Sequence, residues 1–311
     1  MMNNDSEKFT TTFQHYIVAY IDVLGQKAEL SKLEKLLDNG ERTGELVLKA
    51  KRQTIDVVKK IREDFLMLCK QREGKPENPR YHDLTIEQKA QFKTLKDDIK
   101  FQYVSDAIII YAPLAIVEGE QRVQGVMSMI ANVAYLILSQ FGRKVAIRGG
   151  IELGWATKLD SWTNNKEDAD IYGPVLSRAY YLENKVAGYP RVIVGERLID
   201  YLRLRSQLPN EEPVNLQENL NKTCEEHCRL LTCEDTDGQF IVDFLGEYMQ
   251  EIIKSPNVAP LVKLGYQFVE QEYIRYKQAR DSKMAFRYEH LMNYYLERLP
   301  NLDSEATGGS H

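Results

Sequence analysis

The chain has 311 residues, 43% of them hydrophobic and 28% charged, enough to bury one substantial core with room for a helical appendage. Its formal net charge of −5 excludes broad electrostatic binding to nucleic acid, so a polyanionic ligand must be met by a local cationic site and by metal ions. No apolar run approaches the ~18 residues of a membrane span, and the polar start, Met1 to Thr12, lacks a secretory apolar core, so no membrane partner and a cytoplasmic location are expected.

YIVAYID, residues 16–22, predicts a buried strand ending on a carboxylate, and LGQKAEL begins a helix after it. A helical pattern then runs from about Thr43 to Gln71. Residues 72–98 are strongly polar, with prolines at 76 and 79; they predict an exposed excursion with a short helix, inside the domain because the flanking strands need one another. IKFQYVSDAIIIYAP, residues 99–113, holds two apolar runs around Ser105-Asp106 and predicts a β-hairpin. A helix with a wide apolar face follows, from about Val117 to Phe141, and VAIRGGIELGWA predicts a strand whose two glycines admit a close backbone or ligand approach.

Residues 160–170 predict a polar loop. IYGPVLSRAYYLENKV opens a helix after Gly-Pro, proline suiting its first turn. YPRVIV is a strand, GERLIDYLRL a helix, and CRLLTCED and GQFIVDFL are strands meeting at Asp237-Gly238. Long helices run to about Leu299, and the last residues, 301–311, are expected to be disordered. The order strand, helix, hairpin, helix, strand is the ferredoxin-like βαββαβ arrangement. The expected fold is therefore α+β: one domain over 1–311, its core at about 13–245. A helical excursion is inserted at about 40–98, and a helical extension covers about 246–300.

Asp22 ends the first strand and Asp106 sits in the hairpin turn. In a ferredoxin-like sheet those strands are neighbours, so both carboxylates can reach one spot and hold two magnesium ions. Equally, Asp22 can cap the next helix and Asp106 can serve the turn; spacing alone does not choose. Three of the four cysteines, Cys224, Cys228 and Cys233, cluster beside His227 without the paired C-x2-C knuckles of a zinc site, and are expected to be reduced structural thiols. The tyrosines of AYYLE and MNYYLERL sit at helical spacing and are expected in the core or an interface.

IDVLGQK, FQYVSDAIII, IRGGIELG and DIYGPVLSRAYYLE, in this order, resemble the motifs of the class III adenylyl and guanylyl cyclase catalytic domain. The closer resemblance is to the pyrimidine cyclases of bacterial Pycsar antiphage defence, on IRGG, the GP before the helix and DGQFIVDFL, over roughly residues 16–245. The resemblance implies Asp22, Asp106 and the Val23 carbonyl as ligands of two Mg²⁺ or Mn²⁺ ions. It sets the amides from Leu24 through Gly25 to Gln26 on phosphate, and Arg148 on the triphosphate. Gln102 and Asp170 fall at base-reading positions; an amide both donates and accepts, so Gln102 can serve uracil or cytosine by flipping, or can be an edge-strand surface residue. Ser177 and Tyr181 stand where the wider family carries a transition-state asparagine and arginine. Arg178, adjacent, would point about 100° away on a helix; another cation, such as Lys185 or Arg148, or the metals would then carry that work.

The implied activity is conversion of UTP to 3′,5′-cyclic UMP and pyrophosphate by a homodimer with composite active sites, the product acting on a separate effector. The alternatives are a CTP cyclase and a catalytically silent nucleotide-binding or dimerisation module. A palm-like phosphoryl-transfer enzyme would also use two aspartates but would not account for IRGGIELG and DIYGP together.

Overall fold

The computed structural model describes residues 12–71, 85–86, 99–114, 116–117, 120–121, 123–159, 170–207 and 216–299. The expectations for the polar N-terminus, for all but two residues of the 72–98 excursion, for the loop at 160–169 and for the tail fall outside them.

Strand β1 (Gln14–Val23) is the centre of the sheet. It pairs antiparallel with β3 (Ala107–Pro113) on one side and β6 (Ile147–Leu159) on the other. β2 (Lys100–Val104) closes the hairpin with β3 and forms one edge. The order β2-β3-β1-β6 is the ferredoxin-like core expected from the element sequence. It continues through β8 (Val192–Val194), parallel to β6, then β10 (Phe240–Val242) and β9 (Thr232–Glu234). β7 (Asp170–Tyr172) pairs with the far end of β6, and β4 (Ile116–Val117) and β5 (Glu120–Gln121) form a separate small ribbon.

Alternation along β1 sorts its side chains. Ile17, Ala19, Ile21 and Val23 join the large core with Ile108, Ile110, Ile147 and Ile151. Helix α4 (Gln124–Gly142) belongs to that core, contributing Met129, Ile130, Val133 and Ile137. Each such side chain contributes roughly 1.5–3 kcal/mol on burial. By length and composition α4 could cross a membrane, but nearly all of it is buried inside the fold, as a core helix is.

Before α4 lie α1 (Gln26–Asp38), α2 (Glu45–Gln53) and α3 (Ile55–Gln71); after it come α5 (Pro174–Tyr181), α6 (Glu196–Ser206), α7 (Leu216–Leu230), the short α8 (Gln250–Ile253), α9 (Ala259–Gln278) and α10 (Ser282–Arg298). Two expected helices differ. The single helix over Thr43 to Gln71 is broken at Thr54, whose buried hydroxyl donates to the Ala50 carbonyl at 2.8 Å and whose ψ is −84°. The helix expected from Val117 begins at Gln124, because Val117 is spent pairing with Glu120.

Cys224 and Cys228 face the core from α7, where burial pushes the Cys224 thiol up to about 12 and Cys228 well above its usual range. Cys233 accepts a hydrogen bond from Arg298 Nη2 at 3.2 Å. None of the three is disulfide-bonded, and none is poised as a thiolate ligand.

Candidate active site

The other face of the sheet carries Tyr16, Val18, Tyr20 and Asp22 from β1, opposite Gly154, Glu152, Gly150 and Arg148 of β6. Helix α5 covers part of it with Val175 and Ala179. Gly150 is what lets this helix lie so low. A Cβ there would meet the Ala179 carbonyl oxygen at 2.5 Å and the Glu183 nitrogen at 3.2 Å. Past Tyr181 the helix widens into a π turn over Leu182–Val186, closed by Ala187 N–H donating to Leu182 O at 2.8 Å, a feature that often marks functional sites.

Four charged groups gather at the open end of this face. Asp22 and Arg148 are register partners, with Oδ2 and Nη2 4.0 Å apart. Arg148 Nε donates to Oε1 of Glu183, a buried carboxylate on the π turn. Asp106 stands in the β2–β3 turn close enough to act electrostatically on Asp22, Tyr20 and Glu183. Burial, then Asp106, then Glu183, push the Asp22 carboxyl up to about 7, against the pull of Arg148 and the Val23 N–H. Tyr20, packed edge-on against Tyr180 with centroids 5.2 Å apart, is pushed up to about 12 by burial and then by Asp22.

The turn that carries Asp106 is held from outside the sheet. Ser105 takes φ 55°, the left-handed conformation that tight two-residue hairpins use. Its carbonyl accepts from Arg62 Nη2 of α3 at 2.6 Å, and the Arg62 guanidinium lies 4.4 Å from the Tyr103 ring centre. At the end of β1, Gly25 enters α1 with φ 87°. The Leu24 N–H is already committed to the Ala146 carbonyl at 2.9 Å. This corrects its expected place among the phosphate donors and leaves Gly25 and Gln26 at the open start of α1. The Gln26 side chain is turned inward and donates to the Gln53 carbonyl at 3.2 Å.

Gln102 lies toward the β2 edge of this face, in the row of Ile109 and Tyr20, where it meets the residue after Asp170. Gln102 Oε1 accepts the Ile171 N–H at 2.9 Å, and exposed Asp170 helps push buried Tyr111 up to about 12, after burial itself. Because the partner is an N–H donor, the carbonyl end of Gln102 faces it, which leaves the N–H donors of its amide for another group. Ser177 and Tyr181 are both exposed on α5. Arg178 is turned toward Gly154 and the buried Glu152, away from Asp22, and its Nη1 has no hydrogen-bond partner among the described residues. Tyr180 is exposed as well, whereas Tyr294 and Tyr295 of the second tyrosine pair are core residues.

Glu152 serves the fold. Its Oε1 accepts the Leu153 N–H at 2.8 Å, and its carboxylate lies beside the first turn of α6, whose Leu198 N–H is bonded to the Gly195 carbonyl at 3.1 Å but still favours the charged form of Glu152. Gly195, the residue before that helix, offers no side-chain cap, and a Cβ there would meet Glu152 Oε1 at 2.8 Å.

Sequence reasoning missed Glu183. Its only signal was a carboxylate at the end of AYYLE, one turn beyond an apolar helix face. Among the described residues no group of three or more His, Cys, Asp or Glu is arranged to hold a metal ion by itself. The donor chemistry nevertheless fits a hard divalent ion shared with a phosphate. Asp22 and Asp106 are oxygen donors, Asp22 raised to about 7 by burial and then by Asp106, and Mg²⁺ usually takes one or two carboxylates plus substrate oxygens.

No family model matches the chain, and no curated protein does. Among solved structures it is similar to the adenylyl cyclase CyaB from P. aeruginosa, at 12% identity and TM-score 0.38 over 62% of this chain and 82% of that one. It is also similar to the guanylyl cyclase domain of the RhoGC fusion protein from the aquatic fungus Blastocladiella emersonii, at 10% identity and TM-score 0.38 over 74% and 96%. A class III adenylyl cyclase-like ATP-binding protein from Pseudomonas aeruginosa aligns at 12% identity and TM-score 0.40 over 70% of this chain and 40% of that one. At such TM-scores the α+β fold and its ferredoxin-like core rest on the strand order itself.

Proposed function

We propose that the chain is a metal-dependent nucleotidyl cyclase that converts UTP to 3′,5′-cyclic UMP and pyrophosphate. The observation that carries this reading is the gathering of Asp22, Asp106 and Arg148 at one end of one sheet face, beside the start of α1. Asp22, Asp106 and the Val23 carbonyl would hold two Mg²⁺ or Mn²⁺ ions, which supply acidity to the ribose 3′-hydroxyl and charge neutralisation to the triphosphate. Arg148 binds the phosphates, since a guanidinium stays charged and matches their geometry. The Gly25 and Gln26 amides add donors at a helix start.

Gln102 supports uracil over cytosine. With its carbonyl held by the Ile171 N–H, its amine end is left to face an acceptor. Uracil O4 is an acceptor, whereas cytosine carries a donor amine there. Asp170 stands beside it as the second base-reading group. Exposed Trp155, Leu159 and Tyr172 along β6 and β7 support self-association into a homodimer with composite sites. The product serves as a second messenger in antiphage defence, acting on a separate effector in the cytoplasm.

One observation favours a second reading, a silent nucleotide-binding module. Ser177 and Tyr181 offer no positive charge, and Arg178 is turned toward Glu152. Incubation with Mn²⁺ and each of ATP, GTP, CTP and UTP, with products identified by mass spectrometry, separates the readings. Cyclic UMP from UTP is expected. Cyclic CMP alone transfers the assignment to CTP, and a purine product overturns the pyrimidine assignment. Nucleotide binding with no product from any of the four turns the assignment to the silent module or to a cyclase that awaits an activator.

A further inference from the structure

Three carboxylates, Asp22, Asp106 and Glu183, cluster with one guanidinium, that of Arg148, which stands between Asp22 and Glu183. Arg148 is bonded to only one of them. Its Nε donates to buried Glu183, while its Nη2 stands 4.0 Å from Asp22, beyond hydrogen-bond reach. Among the described residues its Nη groups make no hydrogen bond. From this geometry we infer that Glu183 is a positioning residue: it anchors Arg148 through Nε and so holds the guanidinium off Asp22. The Asp22 lone pairs stay open to a cation, and both Nη ends stay open to phosphate oxygens. This rests on reading the cluster as a divalent-cation and triphosphate site.

The fold is built to deliver that anchor. Glu183 reaches Arg148 because the π turn carries it inward beneath β6, and the turn can approach only because position 150 has no Cβ. Without the anchor, the only carboxylate among the described residues already within 4.0 Å of the guanidinium is Asp22. An ion pair there would compete with a cation for the same oxygens.

Five proteins test this: wild type, Glu183→Met, Glu183→Gln, Arg148→Ala, and Glu183→Met combined with Arg148→Ala. Methionine keeps the buried volume without an acceptor; glutamine keeps an oxygen that accepts the Nε–H. Mn²⁺ affinity is read without nucleotide by electron paramagnetic resonance, and inorganic tripolyphosphate affinity with Mn²⁺ by calorimetry, with Tm measured throughout. Glu183→Met is expected to weaken Mn²⁺ binding about tenfold, the scale on which groups behind a ligand act, with Glu183→Gln within about twofold of wild type. In the Arg148→Ala background Glu183→Met should change nothing. If glutamine fails as badly as methionine, or methionine costs as much without Arg148 as with it, Glu183 does not act through Arg148 and the inference falls. Should Glu183→Met not fold, Glu183→Ala takes its place in the same comparison; if that also unfolds while Glu183→Gln weakens binding tenfold, the inference falls as well. A wild type that binds Mn²⁺ but makes no cyclic product defeats the cyclase reading alone; one that binds no Mn²⁺ defeats both.

Discussion

The two faces of the sheet are woven from the same strands, yet they differ in kind. Ile17, Ala19, Ile21 and Val23 lie in the large core with α4, whereas Tyr16, Val18, Tyr20 and Asp22, one residue out of step, form a smaller face under α5. The first face is closed by aliphatic packing along its length. The second grades from buried tyrosines to a carboxylate held at about 7 by its surroundings. A period of two residues thus separates what stabilises this protein from what strains it. Asp22 can be crowded by like charges because Ile21 and Val23 on either side are anchored in the core.

Breaking the functional face should leave the stabilising face standing. Asp22→Ala or Asp106→Ala is expected to lower cyclase turnover roughly a thousandfold, the scale of losing a key electrostatic group, with no loss of thermal stability; a folded variant with full activity would remove that residue from the mechanism. The converse is Ile110→Ala on the core face, fully buried in the main cluster. Its cost is expected at about 2–5 kcal/mol in denaturant unfolding, while turnover per folded molecule stays within about threefold. A chain that loses activity before it loses structure would show the two faces to be coupled.

The smallest effect sharpens the contrast through pH. Asp22 sits at about 7 in the folded chain against an ordinary 3.8. Its neutral form is therefore the one folding favours: the stability it contributes is complete below about 3.8 and lost as pH rises through 7. Metal-free Asp22→Asn should be more stable than wild type at pH 8 by about 1–3 kcal/mol, discounted for partial exposure. That advantage should shrink to nothing as pH falls toward 4, and an advantage that does not vary with pH would assign it to packing. Cation binding has the opposite slope, strengthening as pH rises through 7 because the ligand must first lose its proton.

Much of this architecture was legible in the residues. Apolar runs and their punctuation placed β1, the β2–β3 hairpin, β6 and the order of the core, because period and turn chemistry are local properties. The topology brought Asp22 and Asp106 near one another, while their expected role as ligands, and that of Arg148 on the triphosphate, came from the resemblance of the motifs and not from spacing. Thr54 was not: a β-branched residue with a hydroxyl is common inside helices, and its break depends on the buried bond back to Ala50. Glu183 was not, since no local pattern announces a π turn, and a carboxylate on a helix reads as solvated. Nor was the fixed amide of Gln102, whose partner at Ile171 lies far along the chain. What stayed hidden is the set of contacts that long-range packing alone creates.

The carboxylate that Glu152 sets beside the start of α6 has a kinetic side. With Gly195 at its start, this helix has no local residue to close its first turn, so nucleation, the costly step of helix formation, waits on a strand already in place. Helix α6 should therefore be late and of high contact order, and a peptide spanning 190–207 should show little helix in water. During synthesis the order is favourable: Glu152 leaves the ribosome before Gly195, so the negative charge is waiting when the helix start it favours emerges.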